Sequence, residues 1–337
     1  MILVTGGAGY IGSHACVELL KNNYEIVVVD NFANSQPSVI ERVRKISGKD
    51  FHFYEADVCN EEALNEICIK HSPDCVIHFA GLKAVGESVK VPLTYYENNL
   101  GSTIALLKVM KKNDIRRIIF SSSATVYNGK NTMPLTEESE TGGCTNPYGW
   151  TKYMCEQIIS DAVSAEGNWS AVLLRYFNPI GAHESGLIGE NPIGIPNNIM
   201  PYLSQVASGK LEKLSVFGND YDTVDGTGVR DYLHVTDLAA GHVAAIKYCA
   251  NETGTHVFNL GTGKGTSVLE MVNGFEKVNG VKVPYVIAPR RIGDLAVCYA
   301  DPSKAGALLN WRTKKTLEEA YADVWRWQTN AASSAKG

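Results

Sequence analysis

Ile2-Leu-Val-Thr5-Gly6-Gly7-Ala8-Gly9-Tyr10-Ile11-Gly12 is the stretch whose reading decides the fold. A short apolar run gives way to glycines at 6, 9 and 12, and a helix-forming stretch begins at Ile11. Such glycines permit a tight turn, close approach of backbone to a ligand, and close packing of helix on strand. The helix N-terminus then points its unpaired amides into the turn, an arrangement suited to a pyrophosphate. Taken alone a glycine-rich turn is weak evidence, because structural turns use the same residues.

The next apolar run strengthens it. Val27-Val-Val-Asp30 ends in a carboxylate 18 residues beyond Gly12, where an acid binds both hydroxyls of a ribose. A carboxylate there repels a 2′-phosphate, and Asn31-Phe32-Ala33-Asn34 supplies no arginine to hold one, so NAD is expected rather than NADP. Further along, Asp57-Val58 is placed to meet the adenine. The small residues of Phe79-Ala80-Gly81 let the backbone come close to the cofactor.

Outward from these turns, β-branched runs alternate with amphipathic stretches. Strands are expected at 2–5, 25–30, 51–55, 75–79, 117–121 and 170–175, and helices at 11–22, 39–47, 61–70, 92–113 and 148–165. This is the pattern of an α/β fold, a doubly wound parallel (Rossmann) sheet. From Pro179 the rhythm changes to Gly-, Pro- and Asn-rich segments at 181–198 and 218–228, which suits a smaller mixed α/β substrate lobe. We therefore expect a cofactor domain at 1–178, a lobe at 179–330, and segments around 231–261 returning to the first domain through a strand at 257–260. Residues 331–337 are small and polar, and a disordered tail is expected there.

Bulk composition narrows the class. A net charge of −5 gives no general attraction to polyanions, so nucleic acid is not an expected partner. No run approaches the roughly 18 apolar residues of a membrane span. The cysteines at 16, 59, 68, 75, 144, 155, 249 and 298 show neither a C-x-x-C pair nor a metal-ligand rhythm, so no metal is expected and the thiols read as reduced. The chain opens directly into a strand without a basic leader, and a cytoplasmic location is the expectation.

The chemistry lies in Ser121-Ser-Ser-Ala-Thr-Val-Tyr127 and Tyr148-Gly-Trp-Thr-Lys152. Tyr148 and Lys152 are four apart at the start of an expected helix, so their side chains share a face. A phenol titrates near pH 10, and its use as a base near neutrality needs about 4 kcal/mol of differential stabilisation. A neighbouring ammonium and an oxidised nicotinamide ring both favour the phenolate. Ser123, at the strand end, would bridge the phenol and a substrate hydroxyl. Tyr-x-x-x-Lys alone marks an ordinary solvated helix face; after a strand-end serine run in a dinucleotide-binding chain it points to catalysis.

Over nearly its whole length the chain resembles the extended short-chain dehydrogenase/reductases, and among them the 4-epimerases of UDP-glucose and UDP-galactose. The motifs are the glycine turn, His78-Phe-Ala-Gly-Leu-Lys83, Ser121 to Tyr127, Pro147 to Lys152, Arg175-Tyr-Phe-Asn-Pro179, Gly228-Val-Arg-Asp-Tyr-Leu-His-Val235 and Ala288-Pro-Arg-Arg-Ile-Gly-Asp294. The resemblance implies that Ser123, Tyr148 and Lys152 are catalytic. It places Gly6, Gly9, Tyr10, Ile11, Gly12, Asp30, Asn31, Asn34, Ser35, Asp57, Val58, Phe79, Ala80, Gly81, Lys83, Asn98, Ser121, Tyr148, Lys152 and Tyr176 at NAD. For the UDP-sugar it implies Lys83, Ser123, Tyr148, Phe177, Asn178, Asn198, Val216, Phe217, Arg230, Arg291, Asp294 and Cys298. Guanidinium forks at Arg230 and Arg291 match a diphosphate. Trp325 and Trp327 read as packing. A homodimer through the two long helices is a further implication.

This scaffold also carries dehydratases, reductases and decarboxylases. Dehydratases resembling this chain place an Asp-Glu pair directly after the Ser/Thr, whereas Ala124 and Thr125 stand here and cannot supply that acid and base. Inversion at C4 of the sugar is therefore the expected outcome, with another nucleotide-sugar oxidoreductase or a non-catalytic NAD sensor as alternatives. Cys298 stands where some strict UDP-galactose enzymes of this kind carry a tyrosine beside the C2 substituent. Its small side chain leads us to expect the N-acetylated sugars as substrates too.

Overall fold

The computed structural model describes residues 1–291 and 293–334. Its first half runs β1 (Ile2–Thr5), α1 (Tyr10–Lys21), β2 (Ile26–Asp30), α2 (Ser38–Ser47), β3 (His52–Glu55), α3 (Glu61–His71) and β4 (Cys75–His78). Then come α4 (Val85–Lys90), α5 (Pro92–Lys112), β5 (Arg117–Ser123), a 3-10 turn (Ala124–Val126), α6 (Pro147–Glu166) and β6 (Ser170–Tyr176). The second half has β7 (Asn178–Ile180), α7 (Ile199–Ala207), β8 (Leu214–Phe217), β9 (Val229–Arg230), β10 (Tyr232–His234), α8 (Val235–Cys249) and β11 (Gly254–Leu260). It ends with β12 (Thr266–Ser267), α9 (Val268–Asn279), β13 (Tyr285–Ala288), β14 (Val297–Cys298), α10 (Ser303–Leu308) and α11 (Leu317–Ser334).

Seven parallel strands form the central sheet in the order β11-β6-β5-β4-β1-β2-β3. Successive residues of each strand feed opposite faces, which is why the inner runs β1, β2 and β4 are buried and apolar nearly throughout rather than alternating. Val4, Val28, Ile77, Ile119 and Val172 join the core under α1, α2 and α8. Leu3, Val27, Val76, Ile118 and Leu173 join the core under α3, α5 and α6. A third core gathers Met200, Leu203, Val206, Met271, Phe275 and Val324 from α7, α9 and α11 beneath the smaller mixed lobe.

Local signals place the helices. Asn146 caps α6 by accepting the Gly149 amide at 2.9 Å, Pro147 opens the first turn, and Gly167 ends the helix in the left-handed region. Ser267 and Glu270 form a reciprocal capping box on α9. The tail expected to be disordered is helical as far as Ser334, because Ala331 and Ala332 extend α11 with strong helix formers; 335–337 lie outside the described residues. All eight cysteines are free thiols. Among the described residues no helix is long and apolar enough to cross a membrane.

Candidate active site

At the carboxyl end of the sheet, where the strand order reverses between β1 and β4, lies a cleft of about 1520 Å³ including its open mouth. Every residue expected at the dinucleotide lies on its wall. Gly6 has φ +72°, and a Cβ there would stand 2.6 Å from the Ala80 amide nitrogen; a Cβ on Gly12 would collide with the Gly6 carbonyl. Only glycine permits this approach of β1, α1 and the Ala80 backbone. Helix α1 enters through Gly9 with no side-chain cap and no acid in its first turn, leaving its positive end to an anion. The Asp30 carboxylate accepts the Ala8 amide on Oδ2, and the Phe32 amide and Ser35 hydroxyl on Oδ1, each at 2.9 Å. These donors set its orientation at the end of β2.

Beside the cleft, Tyr148 and Lys152 occupy successive turns of α6. Lys152 is only 6% exposed, and its Nζ donates to the Ser121 carbonyl at 2.6 Å while lying 4.7 Å from the centre of the Phe120 ring. Burial brings this ammonium down to about 8, with Cys155 and Glu156 opposing. The Tyr148 phenol is pushed up to about 12 by burial, opposed by a hydrogen bond with Ser123. Burial outweighs that hydrogen bond in the protein alone, and the expected lowering by Lys152 is not seen there. Ser123 ends β5, and its Oγ accepts from the Thr125 amide at 3.2 Å and the Thr125 hydroxyl at 3.0 Å.

The expected sugar-nucleotide residues form a second group. Asp294 lies 3.6 Å from Arg230 Nη2 and 2.8 Å from Arg291 Nε, while the Arg291 guanidinium is 5.0 Å from the centre of the Phe217 ring. Cys298 is in register with Arg230 across the parallel β14/β9 pair, so thiol and guanidinium leave the strands on one side. Burial pushes that thiol up to about 11. A Cβ on Gly293 would lie 3.1 Å from Thr145 Cβ, so this turn abuts the loop leading into α6. Lys83 Nζ and Asn198 Nδ2 both donate to Glu190 Oε1, at 3.0 and 2.7 Å, and Asn178 is exposed on β7. Phe177 and Val216 are 4% and 1% exposed with their side chains absorbed by hydrophobic cores, so it is their backbone that could face a ligand.

The family model described as NAD dependent epimerase/dehydratase matches residues 2–261. The chain belongs to this family. It is 59% identical over 335 residues to the UDP-glucose 4-epimerase of Bacillus subtilis, covering 99% of this chain and 98% of that protein. The UDP-glucose 4-epimerase of Bifidobacterium longum, solved in complex with NAD+ and UDP, superposes with a TM-score of 0.95 at 54% identity, covering 98% of each chain. The UDP-Glc/GlcNAc 4-epimerase of Campylobacter jejuni superposes with a TM-score of 0.85 at 36% identity, covering 98% of this chain and 99% of that one.

Within this family member, the structure adds residues that sequence reasoning passed over. Glu156 continues the stripe of Tyr148 and Lys152 along α6; its carboxylate accepts the Ser122 hydroxyl at 2.5 Å and both Nε and Nη2 of Arg175 at 3.0 and 2.7 Å. The repeated four-residue spacing was the available signal. Trp327, read as packing, lines the cleft and donates to the Glu190 carbonyl at 3.3 Å. Arg42 also lines the cleft, but its guanidinium lies 5.5 Å from the centre of the Trp327 ring and 3.4 Å from the Leu187 carbonyl. Those partners occupy it at the cleft mouth.

Proposed function

We propose that the chain interconverts UDP-glucose and UDP-galactose by inverting the C4 hydroxyl, with NAD as a bound hydride carrier. The observation that carries this reading is that Tyr148 and Lys152 line the dinucleotide cleft with Ser123 hydrogen-bonded to Tyr148, and with Ala124 and Thr125 in the turn directly after Ser123. The glycine cradle, the uncapped α1 terminus and the oriented Asp30 fit a dinucleotide. When bound, NAD accepts a hydride from C4 and in reduced form returns it. Tyr148 removes the proton of the 4-hydroxyl, Ser123 donates a hydrogen bond to the phenol oxygen, and the Lys152 ammonium favours the phenolate. No acid-base pair follows Ser123 to drive elimination across C5 and C6, so the keto sugar turns over and is reduced on its other face. Arg230 and Arg291 anchor the diphosphate while the hexose moves, which calls for strong contacts to UDP and weak ones to the sugar.

Purified protein incubated with UDP-galactose and no added cofactor should form UDP-glucose. Stoichiometric NADH without UDP-glucose would replace this reading with a dehydrogenase. On the same reading the small Cys298 leaves room for an N-acetyl group at C2, as the name of the Campylobacter jejuni relative also suggests. Cys298→Tyr should suppress turnover of UDP-N-acetylgalactosamine and spare UDP-galactose; equal loss of both would sink the idea. The chain would work as a cytoplasmic homodimer through α5 and α6, which leave Leu93, Ile104 and Met154 exposed. A monomer by light scattering would overturn the dimer.

A further inference from the structure

Ser123 closes β5 in an extended conformation, φ −149° and ψ 148°, and its side chain caps the turn formed by Ala124–Val126. A serine hydroxyl has one proton to give and two lone pairs to receive. Both receiving positions are taken by one residue, through the Thr125 amide at 3.2 Å and the Thr125 hydroxyl at 3.0 Å. What remains to Ser123 is its own O–H. Thr125 is in turn fixed against the catalytic helix: a Cβ on Gly149 would lie 2.9 Å from the Thr125 carbonyl oxygen, so the turn and the residue following Tyr148 are in direct backbone contact. Nothing bulkier than glycine fits between them.

We propose that Thr125 is a positioning residue that makes Ser123 a donor only, its single proton aimed at the phenol oxygen of Tyr148; this rests on the function proposed above. A Ser123 hydroxyl with no free lone pair cannot receive the proton of Tyr148, so proton exchange is confined to Tyr148 and the substrate. Its donation stabilises the phenolate, in keeping with the direction in which Ser123 moves Tyr148.

Thr125→Val keeps the shape and the amide donor but removes the hydroxyl, and Thr125→Ser restores the hydroxyl. The valine variant should lose roughly tenfold in kcat, the scale of one lost hydrogen bond between neutral groups, with KM for UDP-galactose nearly unchanged. Its acid limb of kcat should move to higher pH, and the serine variant should recover both properties. Should the valine variant fail to fold, judged by thermal melting and NAD content, Thr125→Ala provides the same deletion and the same expected loss. Unchanged kcat and acid limb in the deletion variants, or equal impairment of the valine and serine variants, would overturn the proposal while leaving the epimerase reading intact. Wild-type protein that fails to interconvert the two sugars would overturn both.

Discussion

Replacing Lys152 by methionine removes a charge while leaving an unbranched side chain in a site only 6% exposed. With Tyr148 pushed up to about 12, presenting its phenolate at pH 7 costs about 7 kcal/mol. One helical turn separates the two residues, roughly 6 Å, and an ammonium at that distance contributes about 3 kcal/mol at an effective dielectric constant of about 20. The Tyr148 value already contains the Ser123 hydrogen bond, so the lysine covers less than half of the requirement and oxidised cofactor must supply the rest. The variant should lose roughly a hundredfold in kcat at neutral pH, with its acid limb about two pH units higher.

The opposite limb carries independent information. Burial brings the Lys152 ammonium down to about 8, so in the wild type its charge is present below that pH and lost above it. A neighbouring phenolate favours the ammonium and moves this loss upward. The wild type should therefore show an alkaline limb at or above pH 8 that is missing from the methionine variant. Measuring kcat against pH for both proteins, alongside NAD content after acid release, tests these expectations. An unmoved acid limb would refute the electrostatic reasoning. So would a variant restored to full activity by added NAD, since the lysine would then serve only to hold the cofactor.

Three further outcomes follow from buried groups. His14, His78 and His242 are held neutral by burial, at about 3, about 3 and about 4, so the unfolded chain takes up their protons first as pH falls below about 6.5. Stability is unaffected by them above that pH and should fall at about 4 kcal/mol per pH unit near pH 5; urea denaturation showing a flat profile there would contradict this. Arg175→Met leaves Glu156 unpaired at 6% exposure and should cost about 3–5 kcal/mol by chemical denaturation, whereas a loss under about 1 kcal/mol would mean that the pair is energetically neutral. Glu190→Gln breaks the 3.0 Å ion pair with Lys83 that fastens the segment around Glu190 across the cleft, and labelled NAD should exchange roughly fivefold faster; an unchanged exchange rate would remove Glu190 from cofactor retention.

The readable part of this fold is the part in which function is local. Strands β1 to β6 lie within two residues of their expected bounds, most plainly the inner ones, because a strand buried on both faces is a nearly unbroken apolar run. Much of the dinucleotide wall is equally legible, since Gly6 to Gly12, Asp30 to Ser35, Asp57 to Val58 and Phe79 to Lys83 stand just after those runs. The smaller lobe follows a different logic. Strands β9, β12 and β14 have two residues each, too few for any periodicity, and they exist because segments some 70 residues apart are brought together, as in the pairing of Cys298 with Arg230. Glu156 and Glu190 were missed for a related reason. A carboxylate in a sequence reads as surface, and its burial is decided by partners on other elements, Arg175 on β6 and Lys83 after β4.

Thr125 shows how a residue noticed for what it lacks acquires a role once its direction is known. In the sequence its importance was negative, the absence of an acid that could eliminate water. In the structure its hydroxyl turns back onto Ser123 and donates. An ionised carboxylate at this position could only accept, and would draw the Ser123 proton toward itself and away from the phenol. The substitution that would install elimination chemistry would therefore also reverse the polarity of Ser123. On the role proposed for Thr125, a donor-only serine beside Tyr148 and a carboxylate at 125 are alternatives, so an acid placed there would supply one member of an eliminating pair and cost the phenolate a hydrogen bond.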